Sequence, residues 1–296
     1  MIGLAGFLLG LVLGSFIKVL ADRSLSKQSF WGRSYCTYCK KTIKWYDLFP
    51  VISYILLKAR CKNCHKKLSI EYLLMEVATG LLIGFLFYQT SVNLQSIYNF
   101  KFLSFLFDLI FKTFFVTILS VVFLTDIKKM FIPDRIILPA IRIGITFITA
   151  ITIIKVLYLY YYLNQTVVGK LLLPPHSDFF LRHAFYTAEP FLTGILMAAL
   201  IGGFFMSLII ITKGKGMGGG DVKLGAFIGL MLGFPNSLIA IFLSFLTGAV
   251  FSIFLIIFGK KHFGQSIPFG PFLVLGSLMV LFWGDKILNW YLSLRI

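Results

Sequence analysis

Acidic residues are scarce in this chain. Eight aspartates and three glutamates stand among 296 residues, against 28 lysines and arginines. Charged residues of both signs make up 13%, about half the roughly 25% of a soluble domain. That shortage excludes an ordinary soluble globule. The N-terminus lacks a basic stretch ahead of its first apolar run, Leu4–Leu20, and the positive charge follows that run instead. A cleaved signal peptide has the reverse order, so the run reads as a retained first helix with its N-terminus outside. The chain has no low-complexity tract and no evident internal repeat.

Apolar residues are abundant, at 58% of the chain, and mean hydropathy is +0.91. Several runs reach the roughly 20 residues that a helix needs to cross a bilayer. A net charge of +17 would suit nucleic acid. Here, however, the basic residues cluster in short loops between apolar runs, as in positive-inside topology. The expected partner is the lipid bilayer, with no nucleic acid.

The expected spans are Ile2–Leu20, Tyr72–Tyr88, Phe102–Thr125, Ile136–Leu157, Phe191–Thr212, Val222–Phe234, Leu238–Phe258 and Ile267–Trp283. The sixth is short and is followed by Pro235. With the N-terminus outside, the inner loops are 21–71, 126–135, 213–221 and 259–266. They hold most of the basic residues, including Lys128, Lys129, Arg135, Lys213, Lys215, Lys260 and Lys261. The outer segments hold Lys101, Lys170, Arg182, Lys286 and Arg295. The bias never reverses. It places the C-terminus outside as well, and Asp126 and Asp221 on one cytoplasmic face. Residues 158–190 read as a long outer loop beginning with a tyrosine run.

The fold class is therefore an all-α polytopic membrane protein of about eight transmembrane helices, with a small cytoplasmic four-cysteine module resembling a zinc ribbon. The expected division is a first transmembrane helix (1–20), the basic four-cysteine module (21–71) and a membrane-embedded domain (72–296). Charges within spans need partners. Asp108 and Lys112 stand four apart on one helix face and can pair. Lys18 and Lys155 lie near helix ends, where they can snorkel. Glu76 and Arg142 have no evident local partner, and a structural role is expected for each.

Cys36-Thr-Tyr-Cys39 and Cys61-Lys-Asn-Cys64 use every cysteine in the chain. Two such pairs can supply four thiolates to a structural zinc ion in a closed tetrahedral site. The flanking lysines favour the thiolate form. Free or redox-active thiols are one alternative. Two disulfides are another, disfavoured in a cytosolic loop. His65 is surplus to a four-sulfur set.

Asp126 closes an apolar run in LTDIKKMFIPD, and Asp221 ends the glycine run GKGMGGGD. Alone, Asp126 would read as an interfacial carboxylate near Lys128 and Lys129, and Asp134 is placed to cap the next helix. The glycine run is denser than a plain loop before a helix requires. Gly216, Gly218, Gly219 and Gly220 would let another backbone pass close by, which makes them candidates for a substrate-facing loop. The run lacks the Lys-Ser/Thr ending of a phosphate loop. Two aspartates that meet can share one proton. One then activates water while the other donates to a scissile carbonyl, and no metal or side-chain nucleophile is needed. A transporter would carry carboxylates near the midplane and broken helices there. A zinc-bearing assembly protein of a pilus or secretion machine is the other class considered.

The ordered motifs resemble the prepilin peptidase, or type IV leader peptidase, family. They are Gly14–Phe16, the two CxxC pairs, WYDLFPVISY at Trp45–Tyr54, EYLLMEVATG, LTDIKKMFIPD, GKGMGGGDVKLGAFIG and IPFGPFLVLG at Ile267–Gly276. The resemblance implies a membrane aspartic protease of the GxGD type with Asp126 and Asp221 as its catalytic pair. Its substrates would be type IV prepilins or type II secretion pseudopilins at the bacterial inner membrane. It further implies methylation of the new N-terminus with S-adenosylmethionine, since members with the cysteine loop are commonly bifunctional. Thr37 stands where relatives often have proline, and Lys18 where they often have asparagine.

Overall fold

The computed structural model describes residues 2–91, 99–214, 216–258 and 267–294, with the backbone alone for 91 and 99–104. Inner-loop Lys215 and the loop 259–266 with Lys260 and Lys261 lie outside the described residues, as does Arg295. The chain forms two compact units, Met1–Pro133 and Asp134–Ile296.

The first unit contains helices α1 (Ile2–Leu25), α2 (Ile52–Leu56), α3 (Glu71–Ser91) and α4 (Asn99–Lys129), with a short 3-10 turn at Trp45–Leu48. Helices α1 and α3 pack with their backbones in contact. Gly6, Gly10 and Gly14 recur every four residues and share one face of α1. A Cβ at Gly10 would lie 2.6 Å from the Thr79 carbonyl and 2.7 Å from the Gly80 Cα, and one at Gly14 would lie 2.6 Å from the Glu76 Cα. The Thr79 hydroxyl donates to the Gly10 carbonyl at 3.0 Å. Such small-residue seams hold helices together in lipid, where burial of apolar side chains gives no advantage.

The second unit contains α5 (Asp134–Asn164), α6 (Val167–Leu171), α7 (Phe179–Ile211), α8 (Gly219–Leu232), α9 (Asn236–Ile257) and α10 (Gly270–Ser293). Helix α8 touches α5, α7, α9 and α10 and buries Leu224, Phe227, Ile228 and Leu230. Its approach to α7 is again through glycine: a Cβ at Gly229 would meet the Met197 carbonyl carbon at 2.6 Å.

Among the described residues, seven helices are long and apolar enough to cross a membrane. Their outward faces are bare of protein, and Phe242 on α9 is 65% exposed. Exposed apolar faces of this kind fit a lipid surround. The expected sixth span, Val222–Phe234, is helical but falls outside those seven. At 14 residues it extends only about 21 Å, short of the roughly 30 Å hydrocarbon core. Gly233, at φ 61°, stops it.

Two sequence expectations need correction. The segment 158–190 is largely helical and not an open loop. Helix α5 runs on to Asn164, α6 follows, and α7 begins at Phe179 and carries Pro190 inside it. No glycine or proline interrupts the tyrosine run, so nothing breaks α5 before Asn164. Lys18 does not snorkel; it is only 2% exposed and ion-paired within the unit. The partners of Glu76 are not local in sequence and are described below. Asp108 and Lys112 pair at 2.7 Å, in line with their spacing.

A bulky side chain in the α1–α3 seam must separate the two backbones. Gly10→Val should lower unfolding stability by about 1–3 kcal/mol or more, read as a drop in melting temperature of the purified protein in detergent. Gly203→Ala, where a Cβ meets nothing within 4 Å, should leave it unchanged. Equal melting of the two variants would refute the seam.

Candidate functional site

The four cysteines are gathered by two short turns of matching geometry. An isolated antiparallel bridge closes each turn, Tyr35 with Thr42 and Arg60 with Lys67. In the first, Cys36 N–H donates to the Lys41 carbonyl and Lys40 N–H to the Cys36 carbonyl. In the second, Cys61 N–H donates to the Lys66 carbonyl and His65 N–H to the Cys61 carbonyl. Lys40 and His65 occupy the same place in the two turns and both take positive φ, 59° and 56°. His65 thus completes a turn. This local duplication is visible in the sequence only after alignment of YCTYCKK with RCKNCHK, a match too short to stand out as a repeat.

All four thiols are free, with Cys36 and Cys61 buried. The ligand atoms lie within 4.8 Å of one another, close enough to hold one metal ion. Backbone N–H groups of Cys64 and Asn63 bring the Cys61 thiol down to about 7. The Lys66 N–H pulls Cys64 the same way, but burial and the neighbouring sulfurs outweigh it and leave that thiol at about 11. The cluster therefore carries a thiolate at neutral pH and loses it as pH falls through 7.

Asp126 lies near the end of α4, which continues past it to Lys129. Its side chain is 5% exposed. Two residues on, Lys128 joins a four-charge cluster that ties α1, α3 and α4 together. Lys128 Nζ meets Glu71 at 2.6 Å and Asp22 at 3.1 Å. Lys18 Nζ meets Asp22 at 2.5 Å and Glu71 at 3.2 Å. It also sits 4.6 Å from the centroid of the Tyr72 ring. Two cations and two carboxylates cancel, which permits burial of Lys18.

In the second unit Asp221 is the third residue of α8 and half-buried. Its carboxylate accepts the Gly218 N–H at 3.3 Å, the half of a capping box that needs no side chain at the cap. Asp134 opens α5 and takes Lys223 Nζ at 2.5 Å. Within the glycine run, only Gly214 among the described residues has positive φ, at 76°. A Cβ at Gly219 would meet nothing within 4 Å, and one at Gly218 only the Asp221 carboxylate at 3.7 Å. The fold does not require glycine at these two positions. Their effect is to leave the backbone beside Asp221 uncovered.

Sequence reasoning missed a cavity of about 370 Å³ in the first unit. Helices α1 and α3 and the cysteine module enclose it. Tyr35, Phe49, Tyr54 and Tyr72 supply aromatic walls, and Asp22, Asp47 and Glu76 supply carboxylates. Glu76 is 6% exposed. It accepts the Val51 N–H at 2.7 Å and a hydrogen bond from the Ser15 hydroxyl. Its sequence signal was a lone glutamate in an apolar helix; its partners come from α1 and the module.

These features define a polytopic α-helical membrane protein with a cysteine cluster suited to a metal and carboxylates at helix ends. The chain belongs to the type IV leader peptidase family. The model of that family matches residues 113–253, and that of the bacterial peptidase A24 N-terminal domain matches residues 8–90. Among similar proteins, one from Bacillus subtilis (strain 168) is 28% identical over 98% of both chains. One from Aeromonas salmonicida (strain A449) is 30% identical over 88% of this chain and 75% of its own. One from Legionella pneumophila is 26% identical over 89% and 77%. Each of the three is named prepilin leader peptidase/N-methyltransferase. No solved structure matches the chain.

Lys18 is the buried member of the four-charge cluster, and removal of Asp22 leaves it with Glu71 alone. Asp22→Ala should therefore destabilise the protein, and adding Lys18→Met should restore part of the loss. Thermal melting of both single variants and the double variant should give a coupling of about 0.5–3 kcal/mol. Strict additivity would show that the cluster contributes nothing.

Proposed function

We propose that this chain cleaves the leader of type IV prepilins or type II secretion pseudopilins at the cytoplasmic face of the bacterial inner membrane, and then methylates the new N-terminus. Membership of the leader peptidase family carries the first part. The names of the relatives support the second. The charge bias of the loops supports an orientation with both termini outside.

Asp126 and Asp221 are the proposed catalytic pair, held by residues 72–296. The ionised member takes a proton from water as its oxygen attacks the scissile carbonyl. The protonated member donates to the carbonyl oxygen. The C–N bond then breaks and the amine leaves with a proton. The two groups titrate as a couple. Burial of Asp126 and the uncovered backbone beside Asp221 support this assignment. The glycine run Gly216, Gly218, Gly219 and Gly220 is the proposed path of an extended peptide, with open space at Gly219 and only the Asp221 carboxylate near Gly218. The family resemblance implies a short basic leader followed by an apolar helix; such a leader gains nothing from a basic loop, so recognition runs through that helix in the bilayer.

The cysteine cluster is the proposed site of one structural zinc ion. Four sulfurs within bonding reach of a common centre, with one thiol already near 7, fit that ion. Zinc would join the two turns and fix one wall of the cavity. The cavity itself fits S-adenosylmethionine: its volume lies in the range of small-ligand sites. Aromatic faces suit a purine and a sulfonium, and Asp22 and Asp47 can accept from hydroxyl and ammonium groups. The donor supplies an activated methyl group. The chain's own residues orient it and exclude water.

Incubation of purified protein with a synthetic prepilin should release the leader after glycine. Asp126→Asn and Asp221→Asn should each lower the rate on the order of 10²–10⁴-fold while melting unchanged, and cleavage surviving either change would falsify the pair. Gly219→Ala should melt no lower than the parent, since alanine is the better helix former by about 1 kcal/mol, yet cut more slowly. An undiminished rate would remove the glycine run from the substrate path. Metal analysis should find one zinc per chain. The ion should be lost on Cys61→Ser and released as pH falls below neutrality, because protons compete for the sulfurs. Metal-free protein with an intact fold would exclude the zinc site.

A further inference from the structure

We propose that Glu76 binds the N-terminal amine of the freshly cut pilin and takes its proton during methyl transfer, an inference that rests on the methylation reading above. Three carboxylates line the cavity, and two of them are already matched to lysines. Asp22 meets Lys18 and Lys128, and Asp47 meets Lys62 at 3.6 Å. Among the described residues no lysine or arginine lies within ion-pair distance of Glu76. Its two partners, the Val51 N–H and the Ser15 hydroxyl, are neutral donors. A buried carboxyl held only by neutral donors has room for a cation from outside the protein.

The setting is built for that group. Val51 is β-branched, yet it takes φ 62° and ψ −53°, a region such residues avoid. This strained turn aims its N–H at Glu76. Strain of this kind persists where the surroundings enforce it, often at ligand sites. Tyr54 and Tyr72 stand in the same cavity and can flank a cation with ring faces. Glu76 also belongs to α3, a membrane-spanning helix, and not to the module. A pilin whose apolar helix lies in the bilayer would bring its new N-terminus to that level.

The chemistry follows from this placement. The incoming N-terminus is an ammonium group, which has no lone pair to offer. Glu76 first pairs with it and then accepts one of its protons. The freed nitrogen forms a bond to the methyl carbon as the carbon–sulfur bond breaks, and sulfur keeps that electron pair and loses its charge. Asp22 and Asp47 are less suited to receive the incoming ammonium group, because each already meets a lysine.

Binding tests the assignment without turnover. The probes are a synthetic peptide of a mature pilin N-terminus with a free amine and the same peptide N-acetylated. Each is titrated against the full chain in nanodiscs without methyl donor. The free amine should bind about tenfold tighter or more, the worth of one hydrogen bond to a charged group. Glu76→Gln, which can still accept from Val51 and Ser15, should erase the preference, with zinc content and melting reporting its fold. Equal binding of the two peptides to the parent protein overturns the proposal even if the variant does not fold, and so does a preference that survives Glu76→Gln. S-adenosylmethionine is titrated separately. If Glu76→Gln loses donor affinity but keeps the amine preference, Glu76 serves the donor and the proposal fails. If the parent protein transfers no methyl group to the peptide, the methylation reading fails, a result distinct from methylation that persists undiminished in Glu76→Gln.

Discussion

Backbone contact between α1 and α3 is the constraint on which the first unit depends. In hydrocarbon, apolar side chains gain nothing by leaving lipid for protein, so helices must gain by close packing and by bonds between polar groups. Gly6, Gly10 and Gly14 permit that closeness. The two helices run antiparallel, and their register can be followed rung by rung. Gly6 faces Phe87, Gly10 faces Gly80, Gly14 faces Glu76, and Lys18 faces Tyr72 and Glu71. A ladder that begins as pure backbone contact therefore ends in charged side chains. The same glycines that hold the helices together place Glu76 beside Ser15 and bring Asp22 and Glu71 to a common pair of lysines.

Charge is used sparingly beyond that point. Asp22, Asp47, Glu71, Asp108 and Asp134 each meet a lysine within the limits of an ion pair. They are five of the eleven acidic residues in a chain with 28 basic ones. Among the described residues, Glu76 meets no lysine or arginine. Asp126 is buried near a helix end, and Asp221 sits in a first helical turn beside uncovered backbone. The cysteine turns meet the same need for compensation by different means. Backbone N–H groups of Cys64 and Asn63 stabilise a thiolate at Cys61 within an otherwise crowded set of sulfurs.

Much of this was legible in the sequence, and the reasons differ by element. Long apolar runs announce membrane helices because length and composition alone decide whether a segment can cross a bilayer. The cysteine spacing announces four sulfurs around one centre because each turn is local. The reach of α5 and α7 into 158–190 was hidden by tyrosines, which mark a membrane interface without ending a helix. The α1–α3 seam had a signal in its four-residue glycine spacing, but its partner could not be named. Glu76 was visible as an oddity only. Its role depends on Val51, 25 residues away and held in a conformation no composition reveals, and on Ser15, across the seam. Lys18 was misjudged for the same reason: its counter-ions come from α3 as well as from its own helix.

Peptide hydrolysis by two aspartates requires both carboxylates to reach a single water molecule. The most direct measurement replaces Asp126 and Asp221 together by cysteine and oxidises the protein in native membranes. The products are then mapped by mass spectrometry of the joined peptides. The two-aspartate mechanism predicts a disulfide between positions 126 and 221, and reaction of both thiols with reagents supplied from the cytoplasmic side. Thiols that never join, and that are labelled from opposite sides of the membrane, would contradict it.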